Sequence, residues 1–228
     1  MKTDNSVDIT MKCAAILMAL LVSACTTTTR PVEMPSEAVQ AETRIQRELA
    51  IQSGYDLGTR LQNIGHGVLY NATQFCKENI SYSTGIYIVT KYTYGKNAEA
   101  ADKVLGFDEH VRVSNAPPAS PAEKAGFRRG DIIVSVDGRA VPTGPEAIKK
   151  AHEIFGRAKA DTVYDIVYRR GDKESKVKIK PQAKCGYPLL LGVGNEVNAY
   201  ADGKRIIVSR GMMMFARDDL ELELVIAH

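Results

Sequence analysis

The sequence has no tryptophan, few other aromatic residues, and no long apolar run apart from a short one near its start. It also lacks strong clustering of one charge. Lys and Arg number 30 against 27 Asp and Glu, a formal net charge of +3. Nucleic-acid binding calls for a basic patch or stripe, so nucleic acid is not expected as a partner. The densest basic stretch is Arg169-Arg170 with Lys173, Lys176, Lys178 and Lys180. It reads as the solvated face of a hairpin. Cysteine is scarce, with four residues in 228. The segments around Cys76 and Cys185 carry no zinc-ligand spacing of their own.

What is present begins with an export signal. Met1 to Thr10 is polar and holds Asp4 and Asp8, which suits a secretory signal poorly, so Met11 followed by Lys12 is the expected start. The run Cys13 to Val22 is apolar but falls short of the ~20 residues that span a bilayer. A basic residue, a short apolar run and small residues at a cut site make a signal peptide. Val22-Ser23-Ala24-Cys25 resembles the bacterial lipobox. That resemblance implies a diacylated Cys25 at the mature N-terminus, held in a lipid bilayer at ~0.8 kcal/mol per buried methylene. Thr26 in the following position implies sorting to the outer membrane, facing the periplasm. An ordinary signal peptide with an incidental cysteine is the alternative.

About 200 residues remain, enough for one or two domains. Thr26 to Gln40 is polar with Pro31 and Pro35 and reads as a tether. A helix is expected from Ala41, with Ile45 and Leu49 four apart. Leu57, Leu61, Ile64 and Val68 then follow helical spacing, and Gly54 and Gly58 mark places where it could bend. His66 on this helix reads as a surface or packed residue. Gly85 to Tyr92 is rich in β-branched and aromatic residues and predicts a strand. Ala98 to Val104 predicts a short helix. Once Cys13 and Cys25 are accounted for, Cys76 and Cys185 are left. Either they are two buried thiols or, as an oxidising compartment argues, they form a disulfide. Such a bridge closes a loop of roughly 100 residues and contributes about 4–5 kcal/mol in the chain-entropy model.

The middle of the chain is more specific. Val111-Arg112-Val113 is a short alternating strand. Ser120 caps a helix with Pro121 at its first position, and Gly126 ends it. Gly130-Asp131 turns into the strand Ile132 to Val136, and Asp137-Gly138 closes a tight hairpin. A helix from Pro145 to Phe155 comes next, then strands over Val163 to Tyr168 and Ser175 to Ile179. This order (Ser-Pro-Ala, Ala-Gly, Gly-Asp, apolar strand, Asp-Gly) resembles the PDZ signature in the form found in bacterial periplasmic proteases. The resemblance implies binding of peptide or protein C-termini in the cell envelope, by strand addition and by a glycine loop that takes the carboxylate. Leu105-Gly106-Phe107 matches that loop type. Only Asp108-Glu109-His110 then separates it from the strand at Val111, which leaves little room for an edge strand. A peptide receptor and a rigid spacer are both consistent with that. His110 and His152 read as surface residues.

The C-terminal stretch carries Asn198-Ala199-Tyr200-Ala201, a hairpin turned at Asp202-Gly203, the strand Ile206-Ile207-Val208, and a short helix opened by Gly211. A second helix is capped by Asp218, with Leu220, Leu224 and Ala227 on one face. This run resembles the approach to the H-E-x-x-H zinc site of the metallopeptidase family that includes the CAAX prenyl protease. The resemblance implies that His228 is the first zinc ligand and that Asn198 to Ala201 pair with substrate backbone. It also implies zinc in the intact family enzyme. The glutamate, second histidine and third ligand of such a site are not in this sequence, so no zinc is expected for the chain as given.

The expected fold is α+β: an N-terminal helix, a PDZ domain built as a small, partly open β-barrel with helices, and the first hairpin and helices of a zincin-like domain. Expected boundaries are 1–25 for the signal peptide and lipobox, 26–40 for the tether, 41–97 for a helical and strand segment, 98–181 for the PDZ domain and 182–228 for the start of a metallopeptidase domain. The expected function is the front portion of a membrane-anchored periplasmic zinc metalloendopeptidase. The alternative is a non-catalytic PDZ lipoprotein that binds peptide termini.

Overall fold

The computed structural model describes residues 35–228. The signal peptide, Cys25 and residues 26–34 of the tether lie outside the described residues. The chain divides into compact units at Glu42 and Thr43. The described part of the first unit is the opening of helix α1, Ser36–Asn71. The second unit, Thr43 to His228, holds the rest of α1 and every other described element. No helix among the described residues is long and apolar enough to cross a membrane.

α1 runs unbroken through Gly54 and Gly58. Each glycine costs a helix interior about 1 kcal/mol, which burial of Ile51, Leu61, Ile64 and Leu69 along it outweighs. Ile45 and Leu49, the first apolar pair, are exposed instead, at 47% and 58%.

Strand β1 (Ile80–Ser83) comes next, then β2 (Tyr87–Val89), α2 (Ala98–Leu105), β3 (Arg112–Asn115), α3 (Pro121–Lys124) and β4 (Ile132–Val136). After them come β5 (Arg139–Ala140), α4 (Ala147–Phe155), β6 (Tyr164–Arg170) and β7 (Lys173–Ile179). From β2 onwards these strands form an antiparallel sheet in the order β2-β3-β4-β6-β7, with β5 paired to β4. The sheet is open: β2 is its outer strand. It begins ahead of the expected boundary at Ala98, because Ile88 pairs with Val113 and Val89 with Arg112.

The local chemistry explains these elements. The Ser120 hydroxyl accepts from the Glu123 amide at 3.1 Å and caps α3, with Pro121 behind it. Asp137 and Gly138 both have positive φ, 51° and 74°, as a two-residue hairpin matched to strand twist requires. On β7, Lys176 and Lys178 alternate with Val177 and the buried Ile179, so the basic stretch faces solvent. Val111, Val113, Ile133, Val136, Ile166 and Ile179 from the sheet pack on Ala122, Phe127, Ala147 and Ala151. Beneath them the buried Asp131 accepts two hydrogen bonds from Arg170, both 2.7 Å, and one from the Arg128 amide. A buried carboxylate needs that pairing.

A second region combines α1 with the end of the chain. β8 (Gln182–Cys185) pairs with β1, and a Cys76–Cys185 disulfide lies alongside, with Cα atoms 5.5 Å apart. β9 (Leu189–Gly192), β10 (Ala199–Ala201) and β11 (Ile206–Ser209) form a small sheet in the order β10-β11-β9. β10 and β11 are the hairpin turned at Asp202-Gly203; β9 joins β11 in parallel. Helices α5 (Arg210–Phe215) and α6 (Asp219–Ala227) then pack on α1. Ser209 caps α5 and Asp218 caps α6. Arg60 of α1 donates to the carbonyls of Met213 and Ala216 and pairs with Asp219 at 2.7 Å.

The expected apolar face of α6 is corrected by the packing. Leu222 and Ile226 are buried, while Leu220 and Leu224 are 60% and 66% exposed. The alternation Leu-Glu-Leu-Glu-Leu-Val-Ile puts apolar residues on more than one face, so the neighbours decide which goes inside. Leu61 and Ile64 of α1 select Leu222 and Ile226.

Candidate functional site: the cleft beside β2

β2 leaves one edge without a strand partner, and α4 stands across from that edge. Between them lies a cleft of about 160 Å³, with Ile86, Ile88, Phe155, Ala158 and Tyr164 as its apolar wall and Tyr82, Ser83, Thr84 and His152 as its polar side. Ile86 and Ile88 are part-buried against the sheet core. Phe155 meets Tyr164 edge-on at 5.4 Å, and the Tyr164 hydroxyl donates to the Phe155 carbonyl at 2.9 Å. Burial pushes the Tyr164 pKa up. The apolar wall is therefore fixed before any ligand arrives.

One end of the cleft is the loop Ser83-Thr84-Gly85-Ile86. Gly85 has φ +77°, and a Cβ there would sit 2.6 Å from Ser120 Cβ. Only glycine fits, on both counts. The Gly85 amide donates to Ser83 Oγ at 3.1 Å and the Ile86 amide to Thr84 Oγ1 at 3.2 Å. Each hydroxyl sits two residues ahead of the amide it satisfies, and both amides belong to the loop that borders the cleft. The carbonyls are tied from behind: Thr84 accepts from the Ala122 amide at 2.8 Å and Ser83 from the Tyr70 hydroxyl at 2.9 Å. Burial holds the Tyr70 hydroxyl protonated, its pKa pushed up to about 12. His66, stacked 4.0 Å from Tyr70, is buried behind the same loop. Its pKa is lowered, first by burial and then by Lys184 and Lys124.

The loop chosen from the sequence lies elsewhere. Leu105 and Phe107 are buried in a separate cluster with Ile51, Val89 and Ala101. Gly106, at φ +70°, ends α2, and its amide donates to the Asp102 carbonyl at 2.8 Å. Arg129 donates to the Leu105 carbonyl at 2.8 Å and lies over the rings of Tyr55 and Phe107. Leu-Gly-Phe is a helix end whose apolar neighbours pack inward, a common use of glycine. Thr84-Gly85-Ile86, also with a glycine at positive φ, leads directly into β2 instead. The signal that could have found it is the glycine immediately ahead of the β-branched run that became β2.

His110 is half-buried and bonds Asp108 at 3.1 Å. Arg112 takes both oxygens of the same carboxylate at 2.8 and 2.6 Å, which holds its pKa well below the usual carboxylate range. His152 is exposed, as expected. Ala199 to Ala201 form the outer strand of the small sheet, with Asn198 just ahead of it. They border an apolar cleft of about 590 Å³ with Leu69, Phe75, Ile226 and the disulfide. His228 caps α6 at the far rim of that cleft. Among the described residues, no three His, Cys, Asp or Glu side chains gather as a metal site.

Comparison with known proteins fits the sheet. Residues 112–152 match the family model described as a PDZ domain. Curated relatives include a serine protease HTRA1 from Xenopus tropicalis, 31% identical over 94 residues, or 39% of this chain and 18% of the relative. Another is a probable periplasmic serine endoprotease, DegP-like, from a Marinomonas species, 34% identical over 79 residues, or 35% of this chain and 16% of the relative. The chain thus spans less than a fifth of the length of these relatives. Among solved structures, an HtrA3 PDZ domain bound to a phage-derived ligand (FGRWV) is 22% identical and has a TM-score of 0.34. That match covers 47% of this chain and 92% of the other. The expectation of a zinc metallopeptidase is overturned, because the protease relatives matched are serine proteases.

Proposed function

We propose that the chain is a peptide-binding module of the cell envelope, which captures protein C-termini by strand addition to β2. The observation that carries this reading is the cleft between the free edge of β2 and α4, part apolar and part polar, with the loop around Gly85 beside it. An extended peptide adds main-chain hydrogen bonds along such an edge, and side-chain pockets supply specificity. The terminal side chain enters between Ile86, Ile88 and Phe155. The carboxylate takes the amides of Gly85 and Ile86 in place of the two hydroxyls. The PDZ match over residues 112–152 supports the same assignment.

The test is fluorescence anisotropy with labelled peptides that end in a small apolar residue. Amidation of the C-terminus should weaken binding by roughly tenfold or more, the scale of one charge-assisted hydrogen bond. Ile88→Glu should abolish it. Equal affinity for free acid and amide would refute the reading.

We also infer that the module is tethered through an acylated Cys25 on the periplasmic side of the outer membrane, as the Val22 to Cys25 motif suggests. Labelled palmitate should enter the wild-type protein in cells and not Cys25→Ser.

A further inference from the structure

β2 has a second side. Its strand geometry sends Tyr87 away from the face that Ile86 and Ile88 give to the cleft. In an ordinary edge-strand complex that opposite face is open to water. Here it is walled. A separate cavity of about 300 Å³ lies there, lined by Gln62 and Gly65 of α1, by Ser83 and Tyr87, and by Lys184 and Leu189 from the chain beyond the sheet. Ser83 and Ile86 border both this cavity and the cleft, so the two open on either side of one loop.

Lys184 is the charged group of this cavity. It sits on β8 opposite Ser81 of β1, the strand that leads into the loop. Its ammonium donates to the Cys185 carbonyl at 3.2 Å. Among the described residues it has no carboxylate partner within ion-pair distance. Burial lowers its pKa with no acidic group offsetting the effect. The pKa of the buried His66 close by is lowered first by burial and then by Lys184 and Lys124. Lys184 thus brings to the cavity lining a positive charge with no acidic partner among the described residues, which favours an anion.

A peptide strand laid against β2 alternates in the same way as β2 does. Its last side chain enters the cleft, and its penultimate side chain points to the Tyr87 face. We propose that this cavity is the pocket for the penultimate residue of the bound C-terminus, and that Lys184 makes the module select an acidic side chain there. The proposal rests on the strand-addition reading above and names its substrate class: C-termini ending in Asp or Glu followed by a small apolar residue.

The experiment uses free-acid peptides that differ only at the penultimate position, as Glu, Ala or Lys, on the wild-type protein and on Lys184→Met and Lys184→Glu. The wild type should prefer Glu over Ala by roughly five- to tenfold, the scale of a part-buried charge pair. Lys184→Met, which keeps the stem, should level the series. Lys184→Glu should reverse it in favour of Lys. Thermal unfolding of each variant checks that the fold is intact. A flat series in the wild type, or the same Glu preference in all three proteins, overturns the proposal while the strand-addition reading stands. If no free-acid peptide binds and amidation has no effect, the reading itself falls, and the proposal with it.

Discussion

The PDZ sheet and the small C-terminal sheet face the same packing problem, but draw on the chain from different distances. Every buried member of the first core lies between Val111 and Ile179. The second joins Leu61 and Ile64 of α1 to Val208, Met213, Leu222 and Ile226, partners well over a hundred residues apart. The first region can therefore order itself from its own turns and caps. The second depends on what brings α1 to the end of the chain: the β1–β8 pairing, the disulfide, and the clamp of Arg60 on α5 and α6. A contiguous core tolerates the loss of long-range links, and a dispersed core does not.

The sharpest way to break this comparison is to remove the disulfide. Its two cysteines are 109 residues apart, and replacing both with alanine should cost about 4–5 kcal/mol on loop entropy. Hydrogen exchange should show faster opening in α1 and β9 to α6, with β4, β6 and β7 retaining protection. Uniform loss across both regions would mean that they unfold as one. Next in size is Leu222→Ala, which should destabilise by about 2–5 kcal/mol in denaturant melts. Ser120→Ala removes the α3 cap and should cost about 1 kcal/mol, confined to the PDZ region.

A smaller, pH-limited effect belongs to His66, which sits at the seam between the two regions. Its folded pKa lies below the ordinary value of 6.5, so unfolding takes up a proton once the pH is below that value. Its contribution to stability is complete above about 6.5 and declines as the pH falls from there towards the folded pKa. His66→Gln should flatten that part of the stability profile, measured by thermal melts across the range. Least of all, Leu224→Ser on the exposed face of α6 should change stability by under about 0.5 kcal/mol. A large loss there would mean that the burial of this helix is misassigned.

The same contrast governs which parts of the molecule are legible in the sequence. The elements from Val111 to Ile179 announce themselves because each boundary is a local event: Ser120 with Pro121, Gly130 before Asp131, Asp137-Gly138, Gly171-Asp172. The cleft is not legible in the same way. Its loop, its edge strand and its far wall come from Ser83 to Ile86, β2 and α4, and nothing in the sequence says that Gly85 rather than Gly106 borders the strand edge. Both glycines have positive φ and an apolar residue after them; only the fold separates them. The face of α6 is hidden for a related reason. Leu220 and Leu222 are equally apolar, and the choice between them is made by α1. The parallel docking of β9 on β11 likewise comes from tertiary contact and has no sequence marker.

The β1–β8 ladder has a consequence for how this molecule can be taken apart. Ser83 lies opposite Gln182, so the PDZ unit leaves the rest of the protein and returns to it through one narrow gate, like a cassette set into a host. Excision at the gate would cut one pair of chain connections and would also part Val89, Leu105 and Phe107 from Ile51 of α1. The excised piece would keep Ile86, Ile88 and α4, the walls of the cleft. It would leave behind Tyr70, which holds the Ser83 carbonyl, and Lys184, which lines the neighbouring cavity. On the proposed reading, the portable part and the discriminating part of the peptide site would sit on opposite sides of the cut.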